Sequence, residues 1–156
     1  MPRVVISRAL KTGEKGYSFL EHTTDAEIEA YGSSLEEAFE NGGRALEDTM
    51  VDLNTIQPRI EETIKVEGKD MQELLYEWLE YLIFKQDTEQ MLYSKFNCRI
   101  SRGKNTFTLE ATVSGEKYDP SRHEEKTAIK APTYHDMTIN ENRSQRRVTL
   151  RFLLDL

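Results

Sequence analysis

The chain has 156 residues, of which 37% are hydrophobic and 31% charged, and its formal net charge is −7. This length suits one domain with a sizeable core. The negative charge argues against autonomous binding to nucleic acid or to an anionic membrane, because long-range repulsion would oppose both. Cys98 is the only cysteine, which excludes an internal disulfide and a cysteine-based zinc site. No apolar run approaches the ~20 residues of a membrane span and no secretory signal is evident, so we expect a cytoplasmic protein.

Two short strands followed by a helix are predicted at the start of the chain. Apolar and polar residues alternate over 17–21 and 27–31, on either side of the polar corner His22-Thr23-Thr24-Asp25. Ser34 and Glu37 have the spacing of a capping box, which predicts the first helix from there onward. Gly42-Gly43 falls inside that helix at a cost of roughly 1 kcal/mol per glycine, so a close packing contact is expected beside it.

The rest of the chain is predicted as a strand, a second helix and a series of strands. Residues 60–66 alternate, and Asp70 with Glu73 repeats the capping spacing ahead of a wide apolar stripe. Strands joined by short turns imply largely antiparallel pairing. The predicted fold is therefore α+β, with two helices packed on a largely antiparallel or mixed β-sheet. The later alternating segments are 96–100, 107–113, 127–131 and 148–154.

The usual signatures of catalysis are missing from the sequence. There is no glycine-rich phosphate loop and no G-x-S-x-G nucleophile elbow. Cys98 falls on the apolar face of a predicted strand, where a small core residue is the favoured interpretation. The sequence therefore indicates no enzyme.

Polar residues at strand ends form a candidate cation site. Asp25 lies in the polar corner, and Asp155 follows a strand whose apolar residues alternate, so its side chain should face away from the core. With a main-chain oxygen of Leu156, these residues would offer a hard, all-oxygen site suited to calcium, magnesium or manganese. Spacing alone favours a plainer interpretation, in which Asp25 caps a turn and Asp155 is a solvated chain end.

Two further polar groups have structural interpretations on spacing alone. His135 follows Pro132 in an alternating segment, which predicts an edge strand or a bulge and a hydrogen-bonded structural histidine. A basic cluster near the last turn is compatible with contacts to RNA phosphates, but a solvated charged face is the favoured interpretation. Its members are Arg143, Arg146, Arg147 and Arg151.

Four blocks of the sequence resemble the archease family. Residues 17–25 read YSFLEHTTD, similar to the YEFLDHTAD-like opening motif of that family, and 31–40 resemble its first helix. Residues 115–120 with His123, and then 130–137, match two later blocks. The chain stops on Asp155-Leu156, where archeases end in an Asp-Ile-like pair. The resemblance covers a single domain over 17–156 and leaves 1–16 as an N-terminal extension, for which a flexible tail is the default expectation.

The resemblance implies a function and a site. Archeases are small cytoplasmic activators of the GTP-dependent tRNA-splicing ligase of the RtcB type, whose guanylylation and turnover they promote without being enzymes themselves. The resemblance implies a divalent-cation site, assigned to calcium in the family, which corresponds here to Asp25, Asp155 and the backbone of Leu156. Candidates for contacts with the ligase are His22, Lys130 and His135; RNA would be engaged only indirectly.

Departures from the family pattern leave alternatives open. Glu27 stands where a small or apolar residue is usual, so it either adds an oxygen ligand or merely adds charge. Pro132 replaces an aliphatic residue, and Thr24 replaces an alanine. A chaperone-like role beside a tRNA methyltransferase is one alternative function. A metal-dependent hydrolase with Asp25 and Asp155 as ligands and His22 or His135 as base is another.

Overall fold

The computed structural model describes residues 15–20 and 25–156. Within these ranges seven strands and two α-helices follow the predicted order, and every strand pairing is antiparallel. The elements are β1 Tyr17–Leu20, β2 Asp25–Gly32, α1 Leu35–Met50, a short 3-10 helix Leu53–Thr55, β3 Ile60–Gly68, α2 Met71–Glu89, β4 Met91–Arg102, β5 Phe107–Lys117, β6 Ala131–Asn142 and β7 Arg147–Asp155.

The strands form two sheets, which confirms the α+β class and refines the expected single sheet. One sheet has the order β1-β2-β7-β6 and the other the order β3-β5-β4. Because β7 lies between β2 and β6, the C-terminal strand occupies the interior of its sheet. Leu150, Phe152 and Leu154 on its inner face are fully buried. The last residues of the chain are therefore held on both sides by hydrogen-bonded neighbours.

Helix α1 packs between the two sheets, and its paired glycines show how closely. A methyl group on Gly42 would lie 3.6 Å from the ring of Phe152, in the sheet that contains β7. A methyl group on Gly43 would lie 3.0 Å from the ring of Phe96, in the other sheet. Such a distance is tighter than ordinary van der Waals contact. The close packing predicted from the sequence is confirmed, and it offsets the low helix propensity of glycine.

Both helices begin at the capping residues that the sequence predicted. Ser34 Oγ accepts a hydrogen bond from the Glu37 N–H at 3.1 Å, and Asp70 does the same for the Glu73 N–H at 2.8 Å. The helices are joined by a buried hydrogen bond, in which Trp78 Nε1 donates to the Phe39 carbonyl at 3.0 Å. The helix starts are thus fixed locally and their packing is fixed by the core.

The prediction of a strand over 127–131 is wrong for most of that segment. Residues 127–130 are not in a strand, and β6 begins only at Ala131. The expected disturbance near Pro132 is confirmed, because β6 is an edge strand whose register shifts between Thr133 and Thr138. Cys98 is buried as predicted, and burial raises the pKa of its thiol. This burial makes Cys98 a core residue and not a reactive thiol.

Candidate functional site

The register of β2 and β7 places Asp25 directly opposite Asp155. Residues that face each other across an antiparallel pair have Cβ atoms about 4.5–5.5 Å apart on the same side of the sheet. That side, called the outer face below, is opposite to Leu154, which points into the core with no exposed surface. Further along the outer face, Glu27, Glu29 and Leu153 are buried as well. The structure therefore brings together two carboxylates that lie 130 positions apart in the chain. Like charges in this position repel each other, and a cation between them would remove that cost.

The two members of the pair differ in exposure. Asp155 is exposed, whereas Asp25 is half-buried. Leu156 follows at the chain end and packs partly against the core. Its main-chain oxygens lie one residue beyond Asp155 in the chain.

Lys130 lies beside this strand end, whereas His135 lies further along β6. The Lys130 N–H donates to the Asp155 carbonyl at 2.8 Å, and the Lys130 side chain is exposed. His135 sits in the irregular stretch of β6, where its Nε2 lies 3.4 Å from Asp136 Oδ2. Its ring is three-quarters exposed. The structure thus joins Lys130 to the candidate site, while His22 lies outside the described residues.

Glu27 occupies a different environment from the one that a metal ligand at the surface would need. Its side chain is fully buried, and its Oε1 lies 3.9 Å from Arg151 Nε. Arg151 also donates to Glu29 Oε2 at 2.9 Å. This shared arginine favours an electrostatic role for Glu27 on the outer face of the sheet. The donors that fit a cation are then Asp25, Asp155 and the Leu156 backbone, a hard oxygen set typical of calcium or magnesium sites.

No group of three or more His, Cys, Asp or Glu side chains converges in a metal-binding arrangement within residues 15–20 and 25–156. The candidate set of Asp25, Asp155 and the Leu156 backbone does not require three such side chains, because it consists of two carboxylates and a main-chain oxygen. It supplies only part of the six to eight oxygens that calcium takes. The remaining positions would fall to water or to groups of a partner.

A second polar cluster, centred on Glu116, was missed by sequence reasoning. Arg122 donates to both carboxylate oxygens of Glu116, from Nη2 at 2.6 Å and from Nη1 at 2.9 Å. The Gln57 N–H donates to Oε2 at 2.8 Å, and Arg59 Nε lies 3.6 Å from Oε1. These donors, Arg122 foremost, lower the pKa of Glu116 to about 2 although the side chain is buried. Glu116 is therefore ionised throughout the physiological range.

His123 completes this cluster as a neutral, structural residue. Its Nδ1 accepts a hydrogen bond from the Asp119 N–H at 2.9 Å, so the ring proton lies on Nε2, which donates to Glu116 Oε2 at 2.9 Å. The ring is buried and stacks on Tyr118. The signal for this cluster was the match of 115–120 with His123 to a family block. That match gave no indication of which groups would meet.

The basic cluster at the last turn divides into exposed and buried members. Arg143 and Arg146 are exposed, as predicted for a solvated face. The prediction is wrong for Arg147, which is buried with its guanidinium 4.7 Å from the centre of the Tyr31 ring, and for Arg151, which is half-buried against Glu29. Strand β2 supplies both partners, and its position beside β7 could not be inferred from the local spacing of the arginines.

The fold and the site together define a small α+β domain with a pair of aspartates at one end of its central strands. A family model described as the Archease protein family (MTH1598/TM1083) matches residues 17–156. The chain belongs to the archease family. In the described part of the chain, no helix has the length and apolarity that crossing a bilayer would require.

Individual relatives agree with this assignment. The chain is 42% identical over 140 residues to Protein archease of Sulfurisphaera tokodaii, which covers 90% of this chain and 98% of that protein. It is 43% identical over 119 residues to Protein archease of Pyrococcus furiosus, covering 76% and 84% respectively. The solution structure of Methanobacterium thermoautotrophicum protein 1598 superposes with a TM-score of 0.80 at 36% identity, covering 92% of this chain and all of that one.

Proposed function

We propose that this protein is a non-enzymatic activator of the GTP-dependent tRNA-splicing ligase in the cytoplasm. In this role it promotes guanylylation of the ligase and its multiple turnover. Membership of the archease family, together with the cross-strand pairing of Asp25 and Asp155, carries the proposal. The pair lies at the end of the sheet, where Asp155 is exposed and accessible to a partner. An acidic surface also suits an RNA-binding enzyme, whose own field is positive.

The proposed cofactor is a divalent cation, with calcium as the first candidate and magnesium and manganese as alternatives. Asp25, Asp155 and the backbone of Leu156 would hold it. Such a cation supplies a positive charge that neutralises the facing carboxylates and accepts oxygen ligands from a partner. The chain's own residues then have defined tasks: Asp25 and Asp155 face each other, and the Lys130 N–H fixes the backbone of Asp155. Partner contacts through Lys130, which precedes β6, and through His135 within β6 are part of the proposal.

Multiple-turnover ligation of a cleaved tRNA by the cognate ligase tests the activator role. The ligase is limiting and is assayed with wild-type protein, with Asp155→Asn and with Glu61→Gln. We expect wild-type protein to raise turnover, Asp155→Asn to lose roughly tenfold or more of that stimulation, and Glu61→Gln to keep it. Glu61 is exposed on β3 in the other sheet, so its variant removes the same charge far from the site.

Two results would contradict the proposal at different levels. Full stimulation by both Asp155→Asn and Asp25→Asn would overturn the site while leaving the activator role intact. If folded wild-type protein had no effect on ligation or on guanylylation, the activator role itself would be wrong. Suppressed aggregation of a tRNA methyltransferase would then favour the chaperone-like alternative.

A further inference from the structure

A cavity of about 260 Å³ lies between the start of α1 and the turn that joins β6 to β7. Arg143, Arg146 and Arg147 line one side of it, and Ser33 and Ser34 line the other. It sits at the opposite end of β7 from Asp155, roughly 27 Å away at about 3.4 Å per strand residue. The two ends of one strand therefore carry surfaces of opposite charge.

The buried side chain of Arg147 indicates that the cavity has a ligand. It is nine-tenths buried, and all three of its side-chain nitrogens are shielded from solvent. None of these nitrogens donates a hydrogen bond to the part of the chain that the structure describes. Its guanidinium carbon lies over the face of the Tyr31 ring, at 4.7 Å from the ring centre. A buried guanidinium with five unused N–H donors is costly, and an anion is the partner that recovers the most of that cost.

The start of α1 adds a second positive element to the same cavity. The helix is 16 residues long, and its N-terminal end carries the positive end of the helix dipole. Ser34 caps this end by accepting from the Glu37 N–H, and Glu37 Oε1 accepts in turn from the Ser33 N–H at 2.9 Å. The carboxylate of Glu37 is thereby engaged in the capping box. Glu141 is the acidic residue among those that line the cavity. Among the lining residues, three arginines against one glutamate leave an excess of positive charge, in a chain with a net charge of −7. Glu36, also in the first turn of α1, is not among the lining residues.

We propose that this cavity binds a phosphate group, carried either by an RNA strand or by a free phosphate compound. One guanidinium group donates two N–H groups to two oxygens of a phosphate. Three guanidinium groups offer more donors than the two oxygens of a carboxylate can accept, so phosphate is the better match. Ser33 and Ser34 add hydroxyl groups at the same helix end. The site goes beyond the proposed activator role, since it involves no residue of the aspartate pair.

Amide NMR spectra of the ¹⁵N-labelled protein test this site without any ligase. Wild-type protein, Arg143→Glu and Lys95→Glu are each titrated at low salt with inorganic phosphate and, separately, with a six-nucleotide uridine RNA. Arg143 and Lys95 are both exposed, and Lys95 lies on β4 in the other sheet, so the two variants change the net charge equally at different places. A wild-type-like spectrum of each free variant shows that it is folded.

We expect saturable shifts of the amides of residues 33–36 and 143–148 in wild-type protein. Arg143→Glu should weaken binding about tenfold, whereas Lys95→Glu should change it less than about twofold. RNA that binds at least tenfold more tightly than phosphate identifies a strand as the source of the group, and equal affinities identify a free phosphate compound. Shifts that do not saturate, or equal weakening by the two variants, would overturn the site in favour of diffuse electrostatics.

Discussion

The Glu116 cluster and the Asp25–Asp155 pair place carboxylates in opposite electrostatic environments. Glu116 is buried and surrounded by donors from Arg122, His123 and the Gln57 N–H, so its charge is neutralised within the fold. In the aspartate pair two like charges face each other across neighbouring strands at the edge of the solvent. The difference teaches that the first arrangement serves stability. For the second, the proposed role is to hold a cation that offsets the repulsion between the two carboxylates.

Replacement of Glu116 should have the largest effect on stability. Glu116→Gln removes the buried charge that Arg122 pairs with and leaves that arginine only the exposed Asp119. We expect the free energy of unfolding at pH 7 to fall by about 2–4 kcal/mol. The pKa of Glu116 in the folded state is about 2, below its ordinary value near 4.5. Its contribution is therefore present above pH 4.5 and lost as the pH falls towards 2.

Urea unfolding of wild-type protein and Glu116→Gln between pH 7 and pH 2.5 measures this effect. The difference between the two proteins should shrink across the acid range, even though other carboxylates titrate there in both. A difference that stays constant down to pH 2.5 would show that Glu116 acts through packing and not through its charge. In that case the contrast with the aspartate pair would lose its electrostatic basis.

A divalent cation should reverse the effect of a substitution at the aspartate pair. Without the cation, Asp155→Asn removes a like-charge contact, and we expect it to change stability by less than about 1 kcal/mol in the stabilising direction. At a calcium concentration 100 times the dissociation constant, binding would stabilise wild-type protein by about 2.7 kcal/mol. For a domain of this size that is a rise in Tm of about 5–10 °C.

Thermal unfolding of both proteins with calcium and with a chelator checks this reversal. Glu61→Gln serves as the matched control and should respond to calcium as wild-type protein does. An equal rise in Tm for Asp155→Asn would place the cation elsewhere on the molecule. Magnesium and manganese in parallel samples rank the three cations.

Glu47 extends the comparison to a buried carboxyl group in α1. Its side chain has no exposed surface, and burial raises its pKa well above the ordinary value. A raised pKa in the folded state gives stability at low pH that is lost as the pH rises above about 4.5. We expect Glu47→Gln to exceed wild-type protein in stability by about 1 kcal/mol at pH 8 and to lose that advantage near pH 4. Urea unfolding at the two pH values measures it, and an advantage that is the same at both would contradict the assigned protonation.

Local features of this protein were readable from the sequence because their causes are local. Ser34 and Asp70 cap the helices by accepting a hydrogen bond from the N–H three residues further on. The paired glycines of α1 correctly predicted a close packing contact. The alternation before Asp155 correctly placed its side chain on the outer face. The strand predicted over 127–131 was wrong for 127–130, because alternation alone does not show whether a neighbouring strand is present. Strand β7 ends at Asp155, opposite Ala131, and does not extend beside 127–130.

The tertiary structure alone decided which distant groups meet. The register of β2 and β7 sets Asp25 against Asp155, and the same pairing brings Tyr31 beneath the buried guanidinium of Arg147. The sequence by itself determined the helix caps, the inner faces of the strands and the family blocks. Their meeting points follow from strand order and register, which the burial of the whole core selects and which no short stretch of sequence contains.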